Sequence, residues 1–168
     1  MPINFNYKNP FASWLRGIIQ HYNHNKYWRY RSYVTKRGGI LLLKYLRLLY
    51  IKRCDAYNNS SFGTDLGAGA VFKTPPRLPH GPNGIIVSPY ATIGENSYIY
   101  QQVTIGDDGK YYKNVPIIGD NVSIGAGAKL LGKITIGNNV KIGANAVVVE
   151  DVPDGATGVS SNARIIIK

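Results

Sequence analysis

Residues 84–106 read GIIVSPYATIGENSYIYQQVTIG, and residues 116–157 read PIIGDNVSIGAGAKLLGKITIGNNVKIGANAVVVEDVPDGAT. Aliphatic residues recur every six positions through both: Val87, Ile93, Ile99 and Ile105 in the first, then Ile118, Ile124, Leu130, Ile136, Ile142 and Val148 in the second. Two residues before most of them stands a small or β-branched residue: Ala91, Ser97, Val103, Val122, Ala128, Ile134, Val140 and Ala146. Glycine follows the aliphatic position at Gly94, Gly106, Gly119, Gly125, Gly137 and Gly143. A helix would space its apolar residues by three and four, and an ordinary half-buried strand would simply alternate. Period six fits a coil of short flat strands, with the aliphatic side chain inward, the small residue beside a corner, and Gly or Asn supplying the turn. Three hexads make a triangular coil, and coils stack in parallel at about 4.8 Å, the inter-strand distance.

These two stretches resemble the hexapeptide-repeat acyltransferases, in particular the serine O-acetyltransferase branch, which also contains polysaccharide and sugar O-acetyltransferases. The resemblance runs from about Asp65 to Arg164. It implies a mainly β fold, a left-handed parallel β-helix preceded by a short α-helical segment. The left hand comes from the resemblance alone, since right-handed crossovers are the general rule. It also implies acetyl-CoA as the acyl donor, no metal, and a homotrimer in which the coenzyme groove forms between neighbouring prisms.

The length of 168 residues suits about one domain, and a 44% hydrophobic content with moderate charge suits a soluble globular chain. The start, MPINFNYKNP, has neither the basic opening nor the apolar core of a signal peptide, so a cytoplasmic protein is expected. A single cysteine, Cys54, excludes an internal disulfide framework and reads as structural. The charge is uneven. Residues 1–60 hold eleven Lys and Arg against the single acid Asp55, whereas residues 61–168 hold nine against eight. The chain therefore divides into a basic helical segment, 1–60, and a repeat domain, 61–168.

In the basic segment, Asn9-Pro10 offers an N-cap and first helical position, followed by Phe11, Trp14, Leu15, Ile18, Ile19 and Tyr22 at helical spacing. A second helix is expected over Lys26 to Lys36, a break at Gly38-Gly39, and a third helix from Ile40 to near Arg53. That third stretch, ILLLKYLRLLYIKR, falls short of the roughly 20 apolar residues of a membrane span and is interrupted by Lys44 and Arg47. It either packs against the end of the β-helix or a neighbouring subunit, or rests on anionic lipid at the inner membrane face. No nucleic-acid-binding motif accompanies the charge. His21 and His24, in the same segment, read as surface residues.

Asp65 and His80 are the ionisable pair expected to do chemistry. They lie fifteen residues apart, close to one eighteen-residue coil, so adjacent levels of the prism could bring them near one another. A neutral imidazole can take a hydroxyl proton at neutral pH, and a carboxylate on its other nitrogen would fix the tautomer. The same Asp and His spacing, with the His just before a Gly-Ile-Ile-Val run, resembles the catalytic dyad of the serine enzymes. Those enzymes carry a second histidine in an R-H-P-K-type motif; here the corresponding stretch is Lys113-Asn114-Val115-Pro116, within the loop that interrupts the repeat between Ile105 and Ile118. Pro79 also stands where those enzymes often have Asp.

By the same resemblance, Gly125, Ala126, Lys129, Lys141 and Ala144 line the coenzyme A groove, and Ala163-Arg164 is similar to the family's G-V-P-A-R ending; in the direct transfer expected from these residues, backbone N–H groups near Gly106 hold the oxyanion. Small residues let an extended pantetheine arm lie against the coil, and lysines meet phosphate as point charges. A zinc site of three imidazoles is excluded, since the repeat contains only His80. The missing second histidine and the short basic, aromatic N-terminal segment favour a sugar hydroxyl, on a surface-polysaccharide precursor, as acceptor. L-serine is the runner-up, and a non-catalytic structural β-helix is the alternative of another class.

Overall fold

The computed structural model describes residues 17–19 and 21–161. The start of the expected first helix, Asn9-Pro10, and the Ala163-Arg164 ending lie outside the described residues; residues 17–19, toward its end, are helical. Two further helices follow: α1, His24–Thr35, and α2, Leu41–Tyr57. Asn23 caps α1, its side-chain oxygen accepting the Lys26 N–H at 3.0 Å. Gly38 and Gly39, at φ +77° and +94°, make the expected break between the helices.

The rest of the chain is a three-sided parallel prism. Its first face stacks β4 (Ile86–Val87), β7 (Thr104–Gly106), β10 (Lys129–Leu131) and β13 (Val147–Val148). The second stacks β3 (Val71–Phe72), β5 (Thr92–Ile93), β8 (Ile117–Ile118) and β11 (Thr135–Ile136). The third stacks β6 (Tyr98–Ile99), β9 (Ser123–Ile124), β12 (Lys141–Ile142) and β14 (Thr157–Gly158). Registers place like on like: Ile105 pairs Leu130, Ile118 pairs Ile136, and Ile124 pairs Ile142.

All ten six-spaced aliphatic residues are buried, and so are the eight small or β-branched residues two positions before them. Each fully buried Ile, Leu or Val contributes on the order of 1.5–3 kcal/mol by leaving water. The column down the prism axis is therefore the main source of cohesion.

The glycines and asparagines divide the corner work differently from the sequence expectation. Between the second and third faces the positive-φ turn positions are held by Asn96 (53°), Asn121 (59°) and Asn139 (58°), whose amides form a ladder with N–O distances of 3.3 Å between successive coils, whereas between the third and first faces they are held by Gln102 (61°), Gly127 (72°) and Asn145 (56°). The glycines after the aliphatic residues answer a steric need instead. A Cβ at Gly94 would lie 2.3 Å from the Gly119 carbonyl oxygen, and one at Gly119 would lie 2.8 Å from the Gly137 backbone. The backbone of the next coil presses likewise on Gly125 and Gly137, whereas a Cβ at Gly106 would meet the Leu131 side chain at 3.5 Å.

The first coil is irregular, and its irregularity is a hairpin. An antiparallel pair, β1 (Thr64–Asp65) and β2 (Ala68–Gly69), leaves the prism between Ser61, which bridges Ile86 on the first face, and β3 on the second. The helices close this end of the prism. Trp28 of α1 packs edge-on against Phe62 and Phe72 with centroids 5.4 and 4.9 Å away, and Tyr27 packs on Phe62.

A buried polar network ties the cap down. Arg31 donates from Nη2 to the Phe62 carbonyl at 3.0 Å and the Ala70 carbonyl at 2.5 Å, and from Nε to Thr64 Oγ1 at 3.2 Å, gripping both ends of the hairpin. Tyr27 donates its hydroxyl to Asp55 Oδ1 at 2.7 Å. Burial lowers the Arg31 guanidinium to about 10 and raises the Asp55 carboxyl to about 6.

The helix α2 turns Lys44, Ile51, Cys54 and Asp55 inward, and Lys44 gives its ammonium to the carbonyls of Val34 and Lys36. Cys54 is buried and its thiol is pushed up by desolvation, as a structural residue should be. His21 is exposed and stacks on Tyr57 at 3.9 Å. His24 departs from the expectation of a surface residue: it is half-buried, bonded to the Tyr22 hydroxyl at 3.0 Å, and its pKa is lowered by burial.

Candidate active site

One edge of the prism gathers most of the residues expected to act. Where the chain passes from the third face to the first, successive coils place the 78–84 turn with His80, then Tyr100 to Gln102, then Gly125 to Gly127, then Gly143 to Asn145. Backbone bonds lock the levels together: the Gln102 N–H donates to the Asn83 carbonyl, Gly127 to Gln101, and Asn145 to Ala126. Gly125, Ala126 and Ala144 thus continue, level by level, the edge that His80 heads. Lys141 flanks that edge, exposed on the third face. Lys129 flanks it on the first face, but its ammonium is bonded within the prism, to the Gln102 carbonyl at 2.8 Å and Thr104 Oγ1 at 3.1 Å.

His80 is exposed, and its ring lies against Tyr100 with centroids 5.8 Å apart. The structure does not bring Asp65 to it. Asp65 is also exposed; its Oδ1 accepts the Leu66 N–H at 2.7 Å, and no hydrogen bond or ion pair between described residues joins it to His80. The reason is topological. The hairpin carrying Asp65 sits at the edge between the first and second faces, where Gly63 abuts Ser88 and Pro89. His80 sits at the edge between the third and first. A separation of fifteen residues approximates a full coil, but the hairpin consumes several of them off the prism. Arg164 lies outside the described residues.

Gly106 ends β7 at the far side of the first face from His80 and opens the interrupting loop. That loop is ordered by its own acids. Asp108 Oδ1 accepts the N–H groups of Lys110 and Tyr111, and its Oδ2 accepts from Asn114. The Lys110 N–H above all, with Asn114 and Tyr111, holds the Asp108 carboxyl below its ordinary value. Tyr111 and Tyr112 stand exposed with centroids 4.8 Å apart, and Tyr112 leans on Tyr90 at 5.1 Å.

Tyr100 and Gln101 were missed in the sequence. Tyr100 occupies the position after an aliphatic residue where the coils below it on the same edge have Gly125 and Gly143, and this break in the glycine rule beside His80 was the available signal. Gln101 Oε1 is buried with no partner among the described residues.

The description "Bacterial transferase hexapeptide (six repeats)" belongs to a family model that matches residues 116–150. The chain is 43% identical over 107 residues to a serine acetyltransferase of Helicobacter pylori, covering 63% of this chain and 62% of that protein. It is 47% identical over 109 residues to the chloroplastic serine acetyltransferase 1 of Arabidopsis thaliana, covering 64% of this chain and 34% of that one. Among solved structures, serine acetyltransferase isoform 3 of Entamoeba histolytica in complex with cysteine superposes with a TM-score of 0.69 at 28% identity, over 96% of this chain and 56% of that one. Serine acetyltransferase of Neisseria gonorrhoeae in complex with serine gives 0.57 at 33% identity, over 92% and 56%. The matched region thus spans less than two thirds of the length of each of these relatives. A mirror-image coil would not superpose, so the prism is a left-handed parallel β-helix, as the resemblance implied.

Proposed function

With a β-helix of the hexapeptide-repeat acyltransferase superfamily as the premise, we propose that this chain is an acetyl-CoA-dependent O-acetyltransferase in which His80 is the general base. The observation that supports this most is the edge itself: an exposed imidazole stands at its head against Tyr100, the Tyr100 to Gln102 level comes next, and Gly125, Ala126 and Ala144 occupy the two levels beyond. Those two levels offer an extended thioester arm a strip without side-chain bulk, and the arm would pass Tyr100 to reach the base.

In the proposed mechanism His80 accepts the proton of an acceptor hydroxyl as the oxygen attacks the thioester carbonyl. The tetrahedral intermediate collapses with cleavage of the C–S bond, and the imidazolium returns the proton to the departing thiolate. Lys141 would meet coenzyme phosphate. Lys129, held by Gln102 and Thr104, would instead stiffen the groove. Gly106, across the first face from His80, would reach the oxyanion only from a neighbouring protomer.

The acceptor we propose is L-serine. The sequence favoured a sugar hydroxyl, because the second histidine is replaced and the N-terminal segment is short, basic and aromatic. The relatives named above are all serine acetyltransferases, and they outweigh those departures.

We further propose a homotrimer that shares each site. His80 and Asp65 stand on different edges of one prism, so the dyad would form where the His80 edge of one protomer meets the Asp65 edge of the next.

Thiol release from acetyl-CoA with serine and with a panel of glycans tests the reading. His80→Ala should lose about 100- to 10,000-fold in rate while CoA still raises the melting temperature. Retention of more than half the wild-type rate would remove His80 from the mechanism, and transfer to glycans alone would restore the sugar acceptor. Mixing His80→Ala with Asp65→Asn chains should regain activity if the dyad is shared between protomers; no recovery would place both groups in one chain or remove Asp65.

A further inference from the structure

The loop between α1 and α2 and the first half of α2 form a surface that the described residues leave uncovered. Ile40, Leu41, Leu42, Tyr45, Leu46 and Leu49 are all exposed, with Leu42 and Leu49 each at 68%. Leu42, Leu46 and Leu49 follow the i, i+4, i+7 stripe of one helix face, and Leu41 with Tyr45 forms the row beside it. The opposite stripe, Lys44, Ile51 and Asp55, is the one turned inward. A contiguous apolar patch of this kind on a water-soluble surface marks a docking site.

The charge around the patch identifies its occupant. Lys36 and Arg37 are exposed at the tip where the patch begins, and Arg53 continues the leucine stripe at its other end. No acid precedes Asp55 in the chain, and Asp55 is buried against Tyr27, so this surface presents cations and hydrocarbon with no described carboxylate among them. A second copy docking by the same face would bring two such cationic surfaces together. An anionic lipid surface supplies both complements at once, acyl chains for the leucines and phosphates for Lys36, Arg37 and Arg53.

We propose that the α1–α2 tip docks this protein on anionic phospholipid, with Ile40 to Leu49 inserted at the acyl boundary and the basic residues among the headgroups. None of these residues belongs to the edge headed by His80, so the docking stands independently of the proposed acetyl transfer.

The test is co-sedimentation of the full chain with vesicles of phosphatidylcholine alone and with phosphatidylglycerol added. Binding is expected only with the anionic lipid, and should fall as salt rises. Lys36→Gln with Arg37→Gln should weaken it about thirtyfold, taking about fivefold for each cation. Leu42→Ala, Leu46→Ala and Leu49→Ala together should weaken it by at least about tenfold. Thermal unfolding in both variants should match the parent, since the altered side chains are exposed. Absence of binding to the anionic vesicles overturns the proposal, as does binding that survives the leucine changes. If the leucine variant instead loses oligomer mass in sedimentation while the parent ignores vesicles, the surface is a contact between copies of this chain.

Discussion

The prism and its helical cap are held by different kinds of information. In the prism, Ile118, Ile124, Leu130 and Ile136 do the same job at successive positions, and no one contact is unique. In the cap, the join to the prism runs through single groups: Arg31 on two hairpin carbonyls, Trp28 between Phe62 and Phe72, Tyr27 on Asp55. A repeated interaction is redundant in kind but cooperative along the axis, because each coil is the floor of the next. A unique buried polar contact is local, and removing half of it strands the other half.

That contrast makes graded predictions. Ile124→Ala removes a fully buried side chain from the middle of the column and should cost about 4–5 kcal/mol. Amide exchange should accelerate in the coils above and below it, reaching the Lys141 and Tyr98 levels. Arg31→Ala leaves the Phe62 and Ala70 carbonyls unpaired and should cost about 3–4 kcal/mol. Here faster exchange should stay within α1, α2 and the hairpin; equal acceleration around Ile124 would erase the distinction between the two regions.

Acidity separates them further. The Asp55 carboxyl sits at about 6 when folded against 3.8 for the free group, because burial penalises the anion. The folded state therefore binds this proton more tightly than the unfolded state. Stability contributed by Asp55 should be complete below pH 4 and lost as pH rises to 6, a fall of about 3 kcal/mol. Asp55→Asn keeps an acceptor for the Tyr27 hydroxyl and should flatten that slope in denaturant titrations; an unchanged slope would take the effect away from Asp55. The smallest effect belongs to the asparagine ladder. Asn121→Ala forfeits two amide bonds and puts an ordinary side chain at φ 59°, costing about 1–2 kcal/mol. Asn121→Gly relieves the backbone alone, so the difference between the two variants by thermal unfolding measures the strain.

The same contrast explains what the sequence disclosed. Period six announced the column, because every coil repeats the demand for an aliphatic residue at Val87, Ile93 and onward. It misplaced the glycines, since a spacing cannot distinguish a turn from a close approach; only the stacked backbone at Gly94 and Gly119 shows which applies. Helix α2 runs four residues beyond the Arg53 expected as its end, to Tyr57, because Ile51, Cys54 and Asp55 are packed against α1 and extend it. Gly125, Ala126 and Ala144 were expected in one groove from the resemblance alone; that they stack on the edge His80 heads emerges only from the registers of successive coils. Asp65 was not placed correctly against His80, since the hairpin between residues 64 and 69 lies off the repeat and breaks the arithmetic of one coil. Lys129 looked like a free cation, and nothing in its neighbours announced the Gln102 carbonyl one level up.

The registers of the prism also bear on how such a chain can change length over evolutionary time. Thr135 and Ile136 stack on Ile117 and Ile118, eighteen residues earlier, with glycine next in both places. Excising residues 119–136 would join Ile118 directly to Gly137 and leave every remaining residue on its own face, one storey lower. Removing six or twelve residues would keep the aliphatic side chains inward but move every later residue onto another face, and removing a number that is not a multiple of six would turn inward-facing side chains out. Indels in this half of the molecule are thus quantised, and duplication or loss of a whole storey is the smallest step that keeps the register of the coils around it.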